Sequence, residues 1–106
     1  MERLKETLEN LSKTVFEKQF RLDYEKLSKE AREKVANSIE ELATQYLTEP
    51  WNHPQVKYIP SQGEIWRLKV GNQGQETDHR IFFDITDEGL TFLTISHRDT
   101  AYQPQK

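Results

Sequence analysis

The spacing of apolar residues changes once along this chain, and that change limits the folds open to it. Residues 1–49 contain neither glycine nor proline, and their apolar side chains recur every three or four positions. Between residues 64 and 98 the apolar side chains alternate with polar ones instead. The first pattern indicates amphipathic helices, and the second indicates strands with one buried face. The sequence therefore predicts helices followed by an antiparallel sheet.

Two helices are predicted in the first half. The clearer one begins after Ser28, a residue type that caps helix N-termini, and must end near Pro50, because the residue before a proline is disfavoured in the α conformation. Its apolar stripe consists of Ala31, Val35, Ile39, Leu42 and Tyr46. An earlier stripe consists of Phe16, Phe20, Tyr24 and Leu27. The two stripes predict a helical hairpin that covers a flat apolar surface.

Three alternating runs in the second half predict strands, with a short extended piece before them. The runs are Glu64–Val70, His79–Ile85 and Leu90–Arg98, and the short piece is Val56–Ile59. The predicted inward residues are Trp66, Leu68, Val70, Ile81, Phe83, Ile85, Leu93 and Ile95. The predicted fold class is α+β, with an N-terminal helical hairpin packed on one face of a twisted antiparallel β-sheet of three to five strands.

Composition excludes several classes of site. A length of 106 residues suits one domain, and the absence of cysteine excludes disulfides, thiolate nucleophiles and zinc sites with cysteine ligands. The three histidines, His53, His79 and His97, have no spacing suited to a shared metal, so neither a metal nor a cofactor is expected. No apolar run approaches the ~20 residues of a membrane span, and the charged start lacks a signal-peptide stretch. We expect a cytoplasmic protein without a membrane partner.

The face opposite the inward set carries the candidate chemistry. Four of the six basic residues between positions 51 and 106 converge there: Arg67, Lys69, Arg80 and Arg98. Guanidinium and ammonium groups suit a bound phosphodiester, and the neighbouring Phe82, Phe92 and Tyr102 could stack on bases. The same cations are also typical of an ordinary solvated face with Asp84 or the acidic loop 76–78 as partners, and the net charge of −3 gives no general attraction to nucleic acid. Spacing alone leaves both interpretations open.

Several short motifs together resemble the RelE/ParE toxin superfamily. They are Gly63–Gly71 (GEIWRLKVG), His79–Phe83 (HRIFF), Ile95–Arg98 (ISHR), the late Tyr102, and the helical stretch around residues 16–27. The resemblance covers about residues 12–103, so residues 1–10 are interpreted as an extension and residues 11–106 as a single domain. Helical spacing continues through Leu4, Leu8, Leu11 and Val15, but the resemblance favours a short strand over residues 11–16.

This resemblance implies the toxin of a type II toxin–antitoxin pair, acting as a metal-independent mRNA endoribonuclease that inhibits translation. It assigns catalysis to Lys69, Arg80, Arg98 and Tyr102, and RNA binding to Arg67, His79 and His97. Because their rings could stack on bases, Phe82 and Phe92 are added to the predicted RNA-binding residues. The implied partners are a cognate antitoxin protein, mRNA and the ribosome. A ParE-like inhibitor of DNA gyrase that cuts nothing, or an inactive family member, stays open as an alternative. We also hypothesise that an amphipathic acidic segment of the antitoxin wraps the domain and neutralises the basic face, or docks against the helical hairpin.

Overall fold

Two helices lie on one face of a five-stranded sheet in this computed structural model, which describes residues 14–60, 63, 65–70, 79–87 and 89–97. The elements are β1 (Thr14–Phe16), α1 (Lys18–Glu25), α2 (Lys29–Gln45), a 3-10 turn (Pro50–Asn52), β2 (Val56–Ile59), β3 (Ile65–Lys69), β4 (His79–Thr86) and β5 (Gly89–His97). The strand order across the sheet is β1-β5-β4-β3-β2. The α+β class with helices on one face is confirmed.

Both predicted helices form, and local chemistry explains where α2 begins. The Ser28 hydroxyl oxygen accepts a hydrogen bond from the backbone N–H of Ala31 at 3.1 Å, which satisfies a donor that the helix itself cannot pair. Glu30 lies in the first turn, where its charge complements the helix dipole. Within the described part of the chain, no helix is long and apolar enough to cross a membrane.

The sheet is mixed, whereas the sequence predicted an antiparallel one. Strands β2, β3, β4 and β5 pair antiparallel with their neighbours, as predicted. Strand β1 pairs with β5 in the parallel direction, with Phe16 opposite Phe92. Parallel neighbours require a long crossover, and here both helices and three strands separate β1 from β5 along the chain. The short strand predicted over 11–16 is confirmed for residues 14–16; residues 11–13 and the proposed boundary at residue 10 lie outside the described residues.

A β-bulge in β5 overturns part of the predicted face assignment. Phe82 of β4 is opposite Thr94, but the next residue, Phe83, is opposite Phe92, so Leu93 has no partner in β4. One extra residue reverses the alternation of side chains on either side of the bulge. Phe92 therefore points into the core and is fully buried, while Leu93 is only partly buried. The prediction that Leu93 is a core residue and Phe92 an open-face residue is wrong.

Most of the remaining predicted core is confirmed. The buried members are Val35, Ile39, Leu42, Leu68, Val70, Ile81, Phe83 and Ile95. Trp66 and Ile85 are partly buried and pack against this cluster. Asp23 of α1 ties the helix to the sheet beyond the bulge, because its carboxylate accepts a hydrogen bond from the Ile95 N–H at 3.0 Å. That N–H lies where the short β1 no longer covers the edge of β5.

The bulge predicts unequal effects of two neighbouring truncations. Phe92→Ala is expected to lower the free energy of unfolding by roughly 3–5 kcal/mol, because it removes a fully buried ring. Leu93→Ala is expected to lower it by less than about half as much, because its side chain is only partly buried. Urea unfolding followed by circular dichroism measures both. A larger loss for Leu93→Ala would contradict the observed register.

Candidate functional site

Four basic side chains lie in two adjacent cross-strand rows on the sheet face opposite the helices. In the first row, Lys57 of β2 is opposite Arg67 of β3. In the second row, Lys69 of β3 is opposite Arg80 of β4. Each of these residues alternates with core-facing neighbours such as Leu68 and Ile81, which places the four cations on the other face. We call Lys57, Arg67, Lys69 and Arg80 the cationic face.

The cations differ in how far they reach into solvent. Lys57 is exposed, Arg67 and Lys69 are partly buried, and Arg80 retains only 8% of its accessible surface. The Arg80 Nη1 group donates a hydrogen bond to the backbone oxygen of His79 at 3.1 Å. The prediction that Arg80 is exposed is therefore wrong, because its side chain is buried. Arg80 is therefore a fixed charge within the sheet, whereas Lys57, Arg67 and Lys69 are more accessible to solvent.

The cationic face places like charges opposite each other twice. Directly opposed like charges destabilise an antiparallel pair, since their β-carbons lie ~4.5–5.5 Å apart. Asp84 is the one acidic side chain that the described strands contribute to this face, and it lies four positions along β4 from Arg80. The hydroxyl residues Thr94 and Ser96 are opposite Phe82 and Arg80 and border the cations. This arrangement favours an anion binding over the face.

The predicted aromatic stacking platform does not form as expected. Phe82 does share the cationic face, opposite Arg67, but only 4% of its surface is accessible. Phe92 belongs to the core, where its ring lies 5.3 Å from that of Phe16, 5.9 Å from that of Phe20 and 5.8 Å from that of Phe83. The burial of Phe92 contradicts its predicted place among bases. A base could stack on Phe82 only if neighbouring side chains moved aside.

The two strand histidines lie together, but not with the cations. His79 is opposite His97, and their rings meet edge to face at 5.6 Å between centroids. Their register follows that of Ile81 and Ile95, so they lie on the helix side at the end of the sheet. The predicted catalytic residues Arg98 and Tyr102 lie outside the described residues. The structure therefore brings together Arg67, Lys69 and Arg80 from the predicted set.

His53 has a structural role that its side-chain contacts define. Its Nδ1 accepts a hydrogen bond from the Gln55 N–H at 3.0 Å, so the proton of the neutral ring is on Nε2, which faces the Glu41 carboxylate. The ring is buried and meets Tyr46 edge to face. These contacts link α2 to the segment before β2. Among the residues that the structure describes, no three His, Asp or Glu side chains are grouped as metal ligands would be.

Sequence reasoning missed Lys57, Thr94 and Ser96 as members of the site. Lys57 was interpreted only as part of a short extended piece, and its place became clear once β2 was aligned with β3. Alternation within Val56–Ile59 already indicated that Lys57 and Tyr58 face opposite sides. The missing information was the pairing partner, which a single sequence does not give.

A family model and two solved structures are similar to this chain. A protein-family model described as the ParE toxin of the type II toxin–antitoxin system parDE matches residues 14–102. Among solved structures, the RelB–RelE antitoxin–toxin complex from Methanococcus jannaschii contains a chain with 20% sequence identity and a TM-score of 0.61. That match covers 83% of this chain and 94% of the other. The intact E. coli RelBE complex contains a chain with 14% identity and a TM-score of 0.46, covering 78% of this chain and 92% of that one. No curated protein matches.

The like-charge pairs predict that reversing one of these charges stabilises the folded protein. Lys69→Glu is expected to raise the free energy of unfolding by about 0.5–1 kcal/mol at low salt, because it replaces a repelling pair with an attracting one. The gain is expected to shrink near 1 M salt, where the Debye length is about 3 Å. Thermal unfolding at both salt concentrations measures it.

A matched change of charge controls for the net charge of the chain. Lys34→Glu on α2 removes the exposed pair with Glu30, whose charged atoms lie 3.7 Å apart, and is expected to lower stability slightly. If Lys69→Glu also lowers stability at low salt, the repulsion between Lys69 and Arg80 is already relieved in the free protein.

Proposed function

The chain belongs to the ParE toxin family of type II toxin–antitoxin systems, and from that premise we propose that it is a toxin whose cationic face cuts mRNA without a metal ion. The observation that carries the proposal is the pair of like-charged rows, Lys57 with Arg67 and Lys69 with Arg80. A phosphodiester backbone carries negative charge, which is complementary to these rows. Cutting mRNA would inhibit translation and would place the protein in the cytoplasm.

The proposed reaction uses the RNA's own hydroxyl as nucleophile. The 2′-oxygen forms a bond to phosphorus while the bond from phosphorus to the 5′-oxygen breaks, which leaves a 2′,3′-cyclic phosphate and a 5′-hydroxyl. Lys69 assists at the nucleophile by stabilising the negative charge that develops on the 2′-oxygen as the hydroxyl proton passes to solvent water, and Tyr102 donates a proton to the leaving 5′-oxygen. Arg98 offsets the charge that grows on the phosphoryl oxygens, a role that suits a permanently charged guanidinium group, and Arg80 adds its fixed positive charge from within the sheet.

Substrate positioning is assigned to the residues around these groups. Arg67 is two positions from Lys69 on β3 and shares its face, so it is suited to the next phosphate along the strand. Thr94 and Ser96 offer hydroxyl groups at the same edge of the cations. The His79–His97 pair borders this end of the sheet from the helix side, where it could contact a base that leaves the face. The ribosome is the proposed setting for access to mRNA.

A second candidate function is supported by the burial of the aromatic side chains. With Phe92 in the core and Phe82 only 4% accessible, the face offers charge but little surface for bases. Such a face suits an acidic protein surface as well as RNA. The second candidate is therefore a ParE-like inhibitor that binds DNA gyrase and cuts nothing.

An antitoxin partner follows from the family. The Methanococcus jannaschii chain of similar fold is part of an antitoxin–toxin complex, and we assign this chain a corresponding partner, encoded by a neighbouring gene. An antitoxin with an acidic segment would neutralise the cationic face and relieve its internal repulsion.

The nuclease proposal predicts a specific product and a specific dependence on charge. Purified protein is expected to cut RNA in EDTA, to leave 2′,3′-cyclic phosphate ends, and to fail on substrate with 2′-deoxyribose at the cut site. Lys69→Ala and Arg98→Ala are each expected to lower the rate by roughly 10²–10³, the scale for losing one transition-state donor. Mapping of RNA ends with and without ribosomes measures both.

Two controls make this result decisive. Lys34→Ala, on the far side of the molecule, is expected to cut as fast as the unaltered chain, and unfolding curves check that each variant folds. If the unaltered protein cuts nothing under either condition yet stops growth and inhibits supercoiling by gyrase, the gyrase-binding function replaces the nuclease. If growth is normal as well, the inactive-member alternative stands.

The antitoxin proposal predicts mutual dependence of two genes. Expression of this chain alone is expected to slow growth, and co-expression of the adjacent small gene is expected to restore it. The two products are expected to co-purify, and the complex to weaken as salt rises, because opposed charges are screened. Recovery of the chain alone, with growth still inhibited, would contradict the partner assignment.

A further inference from the structure

Two exposed aromatic side chains and the partly buried Trp66 form a cluster at the outer edge of the sheet, on its helix side. The Tyr58 and Trp66 rings lie 5.0 Å apart between centroids, and the Trp51 and Trp66 rings lie 6.5 Å apart. Trp51 keeps 48% of its surface accessible and Tyr58 keeps 40%. We call Trp51, Tyr58 and Trp66 the aromatic edge cluster. Adjacent exposed aromatics of this kind are typical of the centres of protein interfaces.

The strand that carries Tyr58 also has an open edge. Strand β2 is the last strand on its side of the sheet, and no described strand pairs with its outer edge. The Lys69 N–H donates to the Gln55 oxygen at 3.1 Å, so Gln55 and, by alternation, Lys57 turn their backbone groups toward β3. Val56 and Tyr58 therefore turn theirs outward. The Val56 N–H is bonded to the His53 oxygen at 3.0 Å, which leaves the Tyr58 N–H and two carbonyl oxygens at the edge.

The edge is held in one conformation by contacts behind it. His53, which accepts from Gln55 and faces Glu41, fixes the segment that leads into β2. Pro50, fully buried, anchors the 3-10 turn that carries Trp51. A docking segment would therefore meet a surface that is already ordered, which lowers the entropy cost of binding.

The two faces of β2 differ in chemistry, and this difference specifies an occupant. Tyr58 is opposite Trp66 on the helix side, whereas Lys57 is opposite Arg67 on the cationic face. A strand added beside β2 sends alternate side chains to these two faces. We propose that the β2 edge binds an extended segment of a protein partner in which acidic residues alternate with aliphatic ones. The acidic side chains meet Lys57 and Arg67, and the aliphatic ones cover the aromatic edge cluster.

Other occupants fit the edge less well. Two copies of β2 paired about Lys57 would oppose like charges, and pairing about Tyr58 would bring Pro60, which has no N–H, opposite Val56. Bases stacked on Trp51 and Tyr58 would lie on the helix side, away from the cations that bind phosphates. An extended peptide uses both faces and the backbone groups together. The inference does not depend on whether the chain cuts RNA.

The test uses an acetylated, amidated eight-residue peptide in which glutamate and valine alternate. The chain contains two tryptophans, Trp51 and Trp66, and both belong to the aromatic edge cluster, so their fluorescence reports binding directly. The peptide is expected to shift this fluorescence and to bind in calorimetry. A peptide of the same composition with four glutamates followed by four valines is expected to bind at least tenfold more weakly.

Variants separate the two faces of the edge. Lys57→Glu is expected to weaken binding about tenfold, because it replaces attraction with repulsion. Trp51→Ala is expected to weaken it about thirtyfold, as loss of an aromatic anchor does. Lys26→Glu, an equal change of charge at an exposed position after α1, is the matched control and is expected to leave affinity within about twofold.

Backbone methylation of the peptide tests strand addition itself. Alternate residues of a strand direct their N–H groups to opposite edges, and only one edge pairs with β2. Methylating the amides that face β2 is expected to abolish binding, whereas methylating the other set is expected to leave the affinity unchanged. Equal binding of the block peptide, equal effects of both methylated sets, or an unchanged affinity for Lys57→Glu would each overturn the proposal. The proposal would also be overturned if single-stranded RNA changed the tryptophan fluorescence and Trp51→Ala removed that change. Dimerisation of the chain that buries both tryptophans would overturn it as well.

Discussion

The packing of Phe92 against Phe16, Phe20 and Phe83 is the interaction on which the rest of the sheet depends. Phe16 and Phe92 are opposite each other in the parallel β1–β5 pair, so one ring contact joins the first strand to the last. Because Phe92 must face the helices, the alternation of β5 has to reverse at Leu93 before Ile95 can face them too. The bulge is thus the consequence of two apolar residues, separated by three positions, entering the same core.

This core leaves the opposite face free to carry charge that the fold itself does not need. Replacing Lys57 or Lys69 with a neutral or acidic residue would relieve repulsion without disturbing the helix side, since neither belongs to the core. This arrangement fits the proposed binding of an anionic partner at this face. Arg80 is the exception. It is buried and its side chain donates a hydrogen bond to the His79 carbonyl, so it contributes to the packing of the sheet in addition to its positive charge.

The molecule offers two surfaces whose chemistries meet along β2. Lys57 belongs to the cationic face and Tyr58 to the aromatic edge cluster, although they are neighbours in sequence. A partner that extends along this edge would reach the cations from the side, and it would compete with RNA or with an acidic target for the same charges. Inhibition by such a partner would then need no change in the fold, because occupying Lys57 and Arg67 alters the potential over the whole face.

The sequence by itself determined the helices, the Ser28 cap, the strand runs and the common face of Arg67, Lys69 and Arg80, because helical and strand periodicity are local properties that each segment carries. Tertiary structure decided the parallel direction of β1, the burial of Phe92, the pairing of His79 with His97 and the place of Lys57. Each of these depends on which distant segments become neighbours, and on a single extra residue in β5 that reverses the faces beyond it. Periodicity shows which residues of one strand share a face. Only packing against the helices decides which of its two faces points into the core together with those of the other strands.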